Sequence, residues 1–252
     1  MSANRPFVLT IAGFDPSGGA GVLADVKTFE QHQVYGFAIS TANTIQTENE
    51  FVAIQWTDVN FVLRSITTLC TTYKIKAVKI GIVPSLDFLK SVVVLIKTLS
   101  PETKIVWDTV LKSSTEFDFL NVANQNTLIE ILKEIDLITP NYDEILQLSP
   151  KGFNAETTAI LLAEHCPVLL KGGHNPNEIG FDHLYFEKEY FQLKPNTTMV
   201  FDKHGSGCVL SAAITAHLAL GQELITACAN AKKYIEAYLK SNQTKLGYHY
   251  VP

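Results

Sequence analysis

The chain has 252 residues, 46% of them hydrophobic and 18% charged, which supplies core enough for one large α/β domain and excludes global disorder. Its formal net charge is −5, Arg5 and Arg64 are its only arginines, and its lysines are dispersed, a pattern that argues against a nucleic-acid-binding stripe but suits a small phosphorylated ligand. Cys70, Cys166, Cys208 and Cys228 form no CxxC pair, the polar start runs straight into a strand, and no apolar run is long enough to span a bilayer, so the expectation is a cytoplasmic protein with no zinc site, disulfide framework, or membrane or nucleic-acid partner.

Residues 7–12 read as a strand buried on both faces, as in a parallel sheet. The run Gly13-Phe14-Asp15-Pro16-Ser17-Gly18-Gly19-Ala20-Gly21 is a loop by its Gly and Pro content, and 22–33 follows as a helix with Val22, Val26 and Phe29 on one stripe. Gly19-x-Gly21-x-x-Ala24 formally fits a dinucleotide fingerprint. The second strand, 36–46, ends Thr44-Ile45-Gln46 without the acidic residue a ribose needs, and Glu48 comes only in the next loop, so the match is read as accidental. Gln46 is either an amide that donates and accepts toward a ligand edge or a solvated strand end. Residues 51–57 read as a short strand in a small flap and 60–72 as a helix.

A second buried-type strand covers 76–82 and a helix 86–99. The short strand 105–108 ends on Asp108, and carboxyl ends of parallel strands are where open α/β sheets place ligands, so Asp108 either orients Mg²⁺ through water or caps a turn. Residues 123–134 read as a helix, 137–140 as strand then turn, 141–148 as a helix with Asn141 at its N-cap, and 155–165 as a helix. The strand 168–171 runs into Gly172-Gly173-His174. A hairpin spans 182–193 around Lys188-Glu189, within a β-rich stretch reaching 201; helices 209–220 and 224–240 and a tail close the chain. Strands alternate with helices almost throughout, which predicts one doubly wound α/β domain over 1–252, with a mostly parallel central sheet flanked by helices and a flap too small to be a second domain.

The run Asp202-Lys203-His204-Gly205-Ser206-Gly207-Cys208 opens one of these helices. Gly205 and Gly207 allow a tight turn and close approach, and the amides of Ser206, Gly207 and Cys208 would face an anion at the helix N-terminus. The same position should depress the Cys208 pKa and leave part of it thiolate. An anion beside a base suits phosphoryl transfer to a hydroxyl. A Gly-rich turn capping a core helix, with Cys208 as a small buried residue, would carry the same letters.

Several motifs line up in order: the loop 13–21 with Ala24-Asp25-Val26-Lys27-Thr28-Phe29, then Thr41-Ala42 through Gln46, Lys79-Ile80-Gly81, Thr139-Pro140-Asn141, Leu170-Lys171-Gly172-Gly173-His174 and His204-Gly205-Ser206-Gly207-Cys208. Over nearly the whole chain they resemble the hydroxymethylpyrimidine/phosphomethylpyrimidine kinases of thiamine biosynthesis, in the ribokinase-like superfamily. The resemblance implies ATP and Mg²⁺ as cofactors, a pyrimidine alcohol and its monophosphate as acceptors, and a homodimer. It implies that Gly13, Ala20, Asp25, Thr44, Gln46 and Ile82 line the pyrimidine pocket. Asn141, Lys171 and Gly172 would contact the nucleotide, Asp108 would act through Mg²⁺, Gly205, Ser206 and Gly207 would form an anion hole, and Cys208 would be the base. Phe14 and Ile82 depart from the usual Ser and Met, Asp108-Thr109-Val110 from Asp-Pro-Val, and the tail lacks the usual Gly-His-Gly-Pro. Pyridoxal kinase of the same superfamily is the competing activity; a dinucleotide-dependent oxidoreductase and a non-catalytic pyrimidine-binding module are the readings from other classes.

Overall fold

A computed structural model describes residues 4–112, 118–122, 124–148, 152–175, 178–197 and 200–250. Within them the strands β1 (Phe7–Phe14), β2 (Tyr35–Gln46), β3 (Phe51–Trp56), β4 (Ile75–Ile80), β5 (Lys104–Trp107), β6 (Leu137–Ile138), β7 (Val168–Leu170), β8 (Asp182–Phe186) and β9 (Glu189–Leu193) form one sheet, in the order β3-β2-β1-β4-β5-β6-β7-β8-β9. The strands from β2 across to β7 pair in parallel; β3 at one edge and β8 and β9 at the other pair antiparallel. The flap is thus the β2–β3 hairpin, continuous with the sheet.

Both faces of the sheet are covered, and the alternation of side chains shows how. Ile105 and Trp107 join the core beneath the helices α2 (Val59–Thr72), α3 (Leu86–Leu99), α4 (Gln125–Leu132), α5 (Tyr142–Gln147) and α6 (Ala155–Leu162). Val106, between them, joins the opposite core with α1 (Gly21–Gln31), α7 (Ser206–Ala219) and α8 (Leu224–Lys240). Val168 and Leu170 against Leu169 repeat the pattern. This period of two, with apolar residues on both sides, is why the central strands read as continuous hydrophobic runs.

Several boundaries differ from the sequence reading. Helix α7 begins at Ser206 rather than 209, because Gly205 takes the left-handed N-cap conformation (φ 72°, ψ 15°) and releases the chain into the helix at once. The hairpin turns on Glu187 and Lys188, one residue earlier than expected; both have positive φ (52° and 65°), as a two-residue turn matched to strand twist requires. Strand β9 stops at Leu193 instead of continuing to 201, two residues before Pro195. Helices α4 and α6 are shorter than expected, and residue 123, the expected start of α4, lies outside the described residues.

Strand order reverses between β2-β1 and β4, so the carboxyl ends of β1 and β4 flank a crevice. Open α/β sheets bind ligands at such a switch point. No helix among the described residues is long and apolar enough to cross a membrane.

Candidate active site

A cleft of about 1060 Å³ opens over the carboxyl ends of these strands. Gly13, Ala20, Thr44, Gln46 and Ile82 line it, and so do Asn141, Lys171, Gly205, Ser206, Gly207 and Cys208. The sequence-predicted residues that stand apart are Asp25, Asp108 and Gly172. Asp25 does not form the pocket wall: it is wholly buried behind it, accepting from Thr10 and from Lys79. Gly172 is turned into the fold, where its N–H donates to Asp182 Oδ1 at 2.8 Å; the neighbouring Gly173 meets the cleft instead. Asp108 is also fully buried, beneath Lys171.

Within the cleft, Gln46 Nε2 donates to Thr44 Oγ1 at 2.8 Å, and the Thr44 hydroxyl donates to the Phe14 carbonyl at 2.9 Å. This chain of bonds orients the amide and leaves its carbonyl oxygen and second N–H for a ligand. Gln46→Ala is expected to raise the acceptor KM and leave the ATP KM nearly unchanged, at a cost of about 0.5–1.5 kcal/mol in acceptor binding. Steady-state kinetics with each substrate varied in turn checks this; equal effects on both would remove Gln46 from the acceptor pocket.

The first turn of α7 and Lys171 also line the cleft. Gly205 offers no side-chain acceptor to the first-turn amides of α7, and a Cβ there would overlap the Gly19 carbonyl and Ala20. Lys171 reaches the same place, its Nζ 3.2 Å from where a Cβ on Gly207 would stand. Its ammonium lies between Asp108 Oδ1 at 3.2 Å and Glu144 Oε2 at 3.5 Å. Burial works against that charge, and the two carboxylates outweigh it and hold the Lys171 pKa above its ordinary value. A helix N-terminus with an ammonium beside it can favour a bound anion.

Beneath lies a buried network that sequence reasoning missed. Lys79 contacts both Asp25 oxygens, at 2.9 and 3.0 Å, with both side chains fully buried, and stands 3.9 Å from Asp108 Oδ2. Burial disfavours the ammonium, but Asp25 and Asp108 overcome it, so the Lys79 pKa is raised and the residue stays charged. The expectation of a partly ionised Cys208 is overturned. Burial pushes its thiol up to about 12; Lys79 acts the other way, but the Asp108 and Asp25 carboxylates add to the rise. The helix dipole is too weak to reverse desolvation plus two nearby negative charges.

Two further features escaped the sequence. Glu144 completes a capping box with Asn141, accepting from the Asn141 N–H at 2.7 Å, and the same carboxylate faces Lys171; its three-residue spacing from Asn141 was a readable signal. Asp15 accepts from His204 Nε2 at 2.9 Å, joining the first Gly loop to the anion-binding turn across 189 positions of chain, for which no local signal exists. Burial alone would raise the Asp15 pKa, but hydrogen bonds from His204, Ser17 and Ala20 leave it lowered.

The residues also suit Mg²⁺. Among the described residues no cluster of three or more His, Cys, Asp or Glu could hold a metal alone, but Mg²⁺ characteristically uses one or two carboxylates, waters and substrate phosphates. Asp108 Oδ2 is buried without a hydrogen-bond partner, and Asp108 and Glu144 converge on the point where Lys171 now sits.

Residues 15–252 match the family described as phosphomethylpyrimidine kinase. The chain belongs to that family. It is 33% identical over 251 residues to the hydroxymethylpyrimidine/phosphomethylpyrimidine kinase of Aquifex aeolicus, covering 96% of this chain and 97% of that one. Among solved structures it superposes on the phosphomethylpyrimidine kinase of Clostridium difficile 630 with a TM-score of 0.77 at 31% identity, covering 92% of this chain and 98% of that one. It superposes on the pyridoxal kinase of Staphylococcus aureus, in complex with AMP-PCP, with a TM-score of 0.83 at 26% identity, covering 94% and 89% of the two chains. The doubly wound, mostly parallel α/β fold that the alternation of strands and helices predicts, and the family that the motifs resemble, are both found.

Proposed function

We infer that this chain transfers a phosphoryl group from ATP to the hydroxymethyl group of 4-amino-5-hydroxymethyl-2-methylpyrimidine, and then a second to the resulting monophosphate, giving the diphosphate used for thiamine biosynthesis. The observation that carries this reading is one cleft lined both by an oriented neutral amide, Gln46, and by the first turn of α7 with Lys171. Gln46 would hold the ring, Asn141 and Lys171 the nucleotide, and the amides of Gly207 and Cys208 the transferring group, the Ser206 N–H being donated to the Lys203 carbonyl at 3.3 Å. Phosphoryl transfer passes through a loose, charge-rich transition state, so positioning and fixed positive groups supply most of the acceleration. Mg²⁺, when bound, would supply positive charge at the phosphate oxygens, held by Asp108 and Glu144. Incubation with the pyrimidine alcohol and Mg-ATP tests the reading: monophosphate should appear first and diphosphate after it. A protein that forms neither would refute it.

The superposition on a pyridoxal kinase supports a second reading, phosphorylation of pyridoxal by the same transfer chemistry. We take the enzyme to work as a homodimer in the cytoplasm on family resemblance alone, which sedimentation of the purified protein checks.

With its pKa near 12, Cys208 can accept the alcohol proton only through its minor thiolate form. For an acid with a raised pKa, that form grows about tenfold per pH unit below the pKa. The chemical step of the first transfer should therefore rise from pH 7 to 9 in the parent enzyme and flatten in Cys208→Ala. The second acceptor is a phosphate monoester with a second pKa near 6, already a nucleophile at pH 7, so its transfer should lack that Cys208-dependent rise. Single-turnover rates of both transfers across this range decide the point; equal losses in both would make Cys208 a shaping residue.

A further inference from the structure

The turn that forms the anion site is held from a direction the mechanism does not use. Lys203, two residues before Gly205, is 3% exposed. Its Nζ donates to the Asn242 carbonyl at 2.5 Å, the Thr244 carbonyl at 2.6 Å and Asn242 Oδ1 at 3.2 Å. Among the described residues these acceptors are all neutral oxygens; none is a carboxylate. The receiving segment is itself tied in a knot, with Asn242 Nδ2 donating to the Leu246 carbonyl at 2.9 Å and the Thr244 N–H to Asn242 Oδ1 at 2.8 Å. From this knot the Lys245 carbonyl reaches back to accept from the His204 N–H at 2.9 Å. His204 in turn is the residue that donates to Asp15.

We propose that Lys203 is a positioning residue for phosphoryl transfer, its ammonium tying the C-terminal segment 241–246 to the 203–206 turn and so fixing where the first amides of α7 stand. The proposal rests on the kinase reading above. Burying an ammonium against carbonyl groups alone is costly, and an apolar side chain would fasten a loop with less penalty. What the ammonium adds is direction: three acceptors around one donor set the height and tilt of a turn whose next residue but one, Gly205, has no room to move against Gly19 and Ala20. Lys203 also borders the cleft, but its ammonium is turned away to the tail oxygens, so it acts through the turn and not by touching a ligand. The tail, which departs from the family's usual C-terminal motif, thereby acquires a task.

The test uses the full chain with Mg-ATP and both pyrimidine acceptors. Lys203→Met keeps the stem and removes the charge. Its kcat should fall about 10–100-fold in both transfers, while the acceptor KM stays within about twofold, because misplacing the anion site by a fraction of an ångström affects the transition state more than ring binding. In Lys203→Ala, ethylammonium chloride should restore activity several-fold where sodium chloride at the same ionic strength does not, a readout that loss of packing alone would not give. A folded Lys203→Met with the parent kcat, or a Lys203→Ala whose lost activity ethylammonium leaves unchanged, overturns the proposal. If circular dichroism shows the position 203 variants unfolded, Asn242→Ala decides, since it removes one acceptor and keeps the ammonium: a lowered kcat at constant acceptor KM supports the latch, and unaltered kinetics overturns it. An inactive parent enzyme would overturn the kinase reading and this inference together, whereas an active parent beside a fully active Lys203→Met sinks the latch alone.

Discussion

A Gly207→Val variant is expected to fold normally and to lose both phosphoryl transfers. Gly207 lies in the first turn of α7 with ordinary helical geometry; in this turn only Gly205 has positive φ. The backbone of α7 therefore accepts a β-branched residue at modest cost in helix propensity. A Cβ at position 207 would stand 3.2 Å from Lys171 Nζ, the mobile end of a long side chain, which can yield without disturbing the sheet. Yielding, however, moves the ammonium off the anion site, and the isopropyl group then covers the amides that would meet the transferring group. Removing one such donor typically costs about 10²–10³-fold in kcat, and here the valine obstructs several donors at once, so a loss of at least about 10²-fold is expected in each transfer. Circular dichroism, thermal unfolding and the two half-reaction assays check it. A folded Gly207→Val with parent activity would make the turn a helix cap and nothing more. Gly205→Ala would be a poor substitute, because its methyl group would overlap the backbone at Gly19 and Ala20, and unfolding would confound the result.

Lys79→Met is expected to show the largest effect on stability. Both partners of the Lys79–Asp25 pair are fully buried, and the substitution leaves the Asp25 carboxyl with Thr10 as its remaining hydrogen-bond partner. Breaking a buried pair from one side characteristically costs about 3–5 kcal/mol, because the uncompensated charge remains in a poorly solvating interior. For a protein of this size that corresponds to a fall in Tm of roughly 6–20 °C. The double variant Lys79→Met with Asp25→Leu should recover most of the loss, since replacing both members by apolar groups removes the stranded charge. Urea unfolding of the single and double variants measures this. A single variant within about 1 kcal/mol of the parent would mean that Asp25 takes up a proton at little cost and that the pair is not a fixed ionic element.

The sheet was legible because its central strands are hydrophobic on both faces, a pattern that residues 168–170 display without interruption and residues 7–12 with Thr10 as the one break. The turn at the start of α7 was legible because it is local: Gly205, Ser206, Gly207 and Cys208 are adjacent, Gly205 caps the helix and all four line the cleft. The charge state of Cys208 was not, because the groups that set it arrive from other elements. Asp25 comes from α1, Lys79 from β4 and Asp108 from the end of β5, and a reading of the turn alone sees the helix dipole without the two carboxylates. Asp25 was assigned to the pocket wall by the resemblance of its motif, when its side chain serves the layer beneath. Lys79 was read as a letter of the Lys79-Ile80-Gly81 motif and given no role, although a charged residue in an apolar strand marks a buried partner elsewhere. The pairing of Asp15 with His204 and the seat of Lys203 on the tail depend on the fold bringing distant segments together, and no spacing in the chain announces them.

The most direct test of the account is kcat/KM for three acceptors under identical Mg-ATP conditions: the pyrimidine alcohol, its monophosphate and pyridoxal. The expected result is turnover of both pyrimidines, with each favoured over pyridoxal. Turnover of pyridoxal with neither pyrimidine phosphorylated would contradict it.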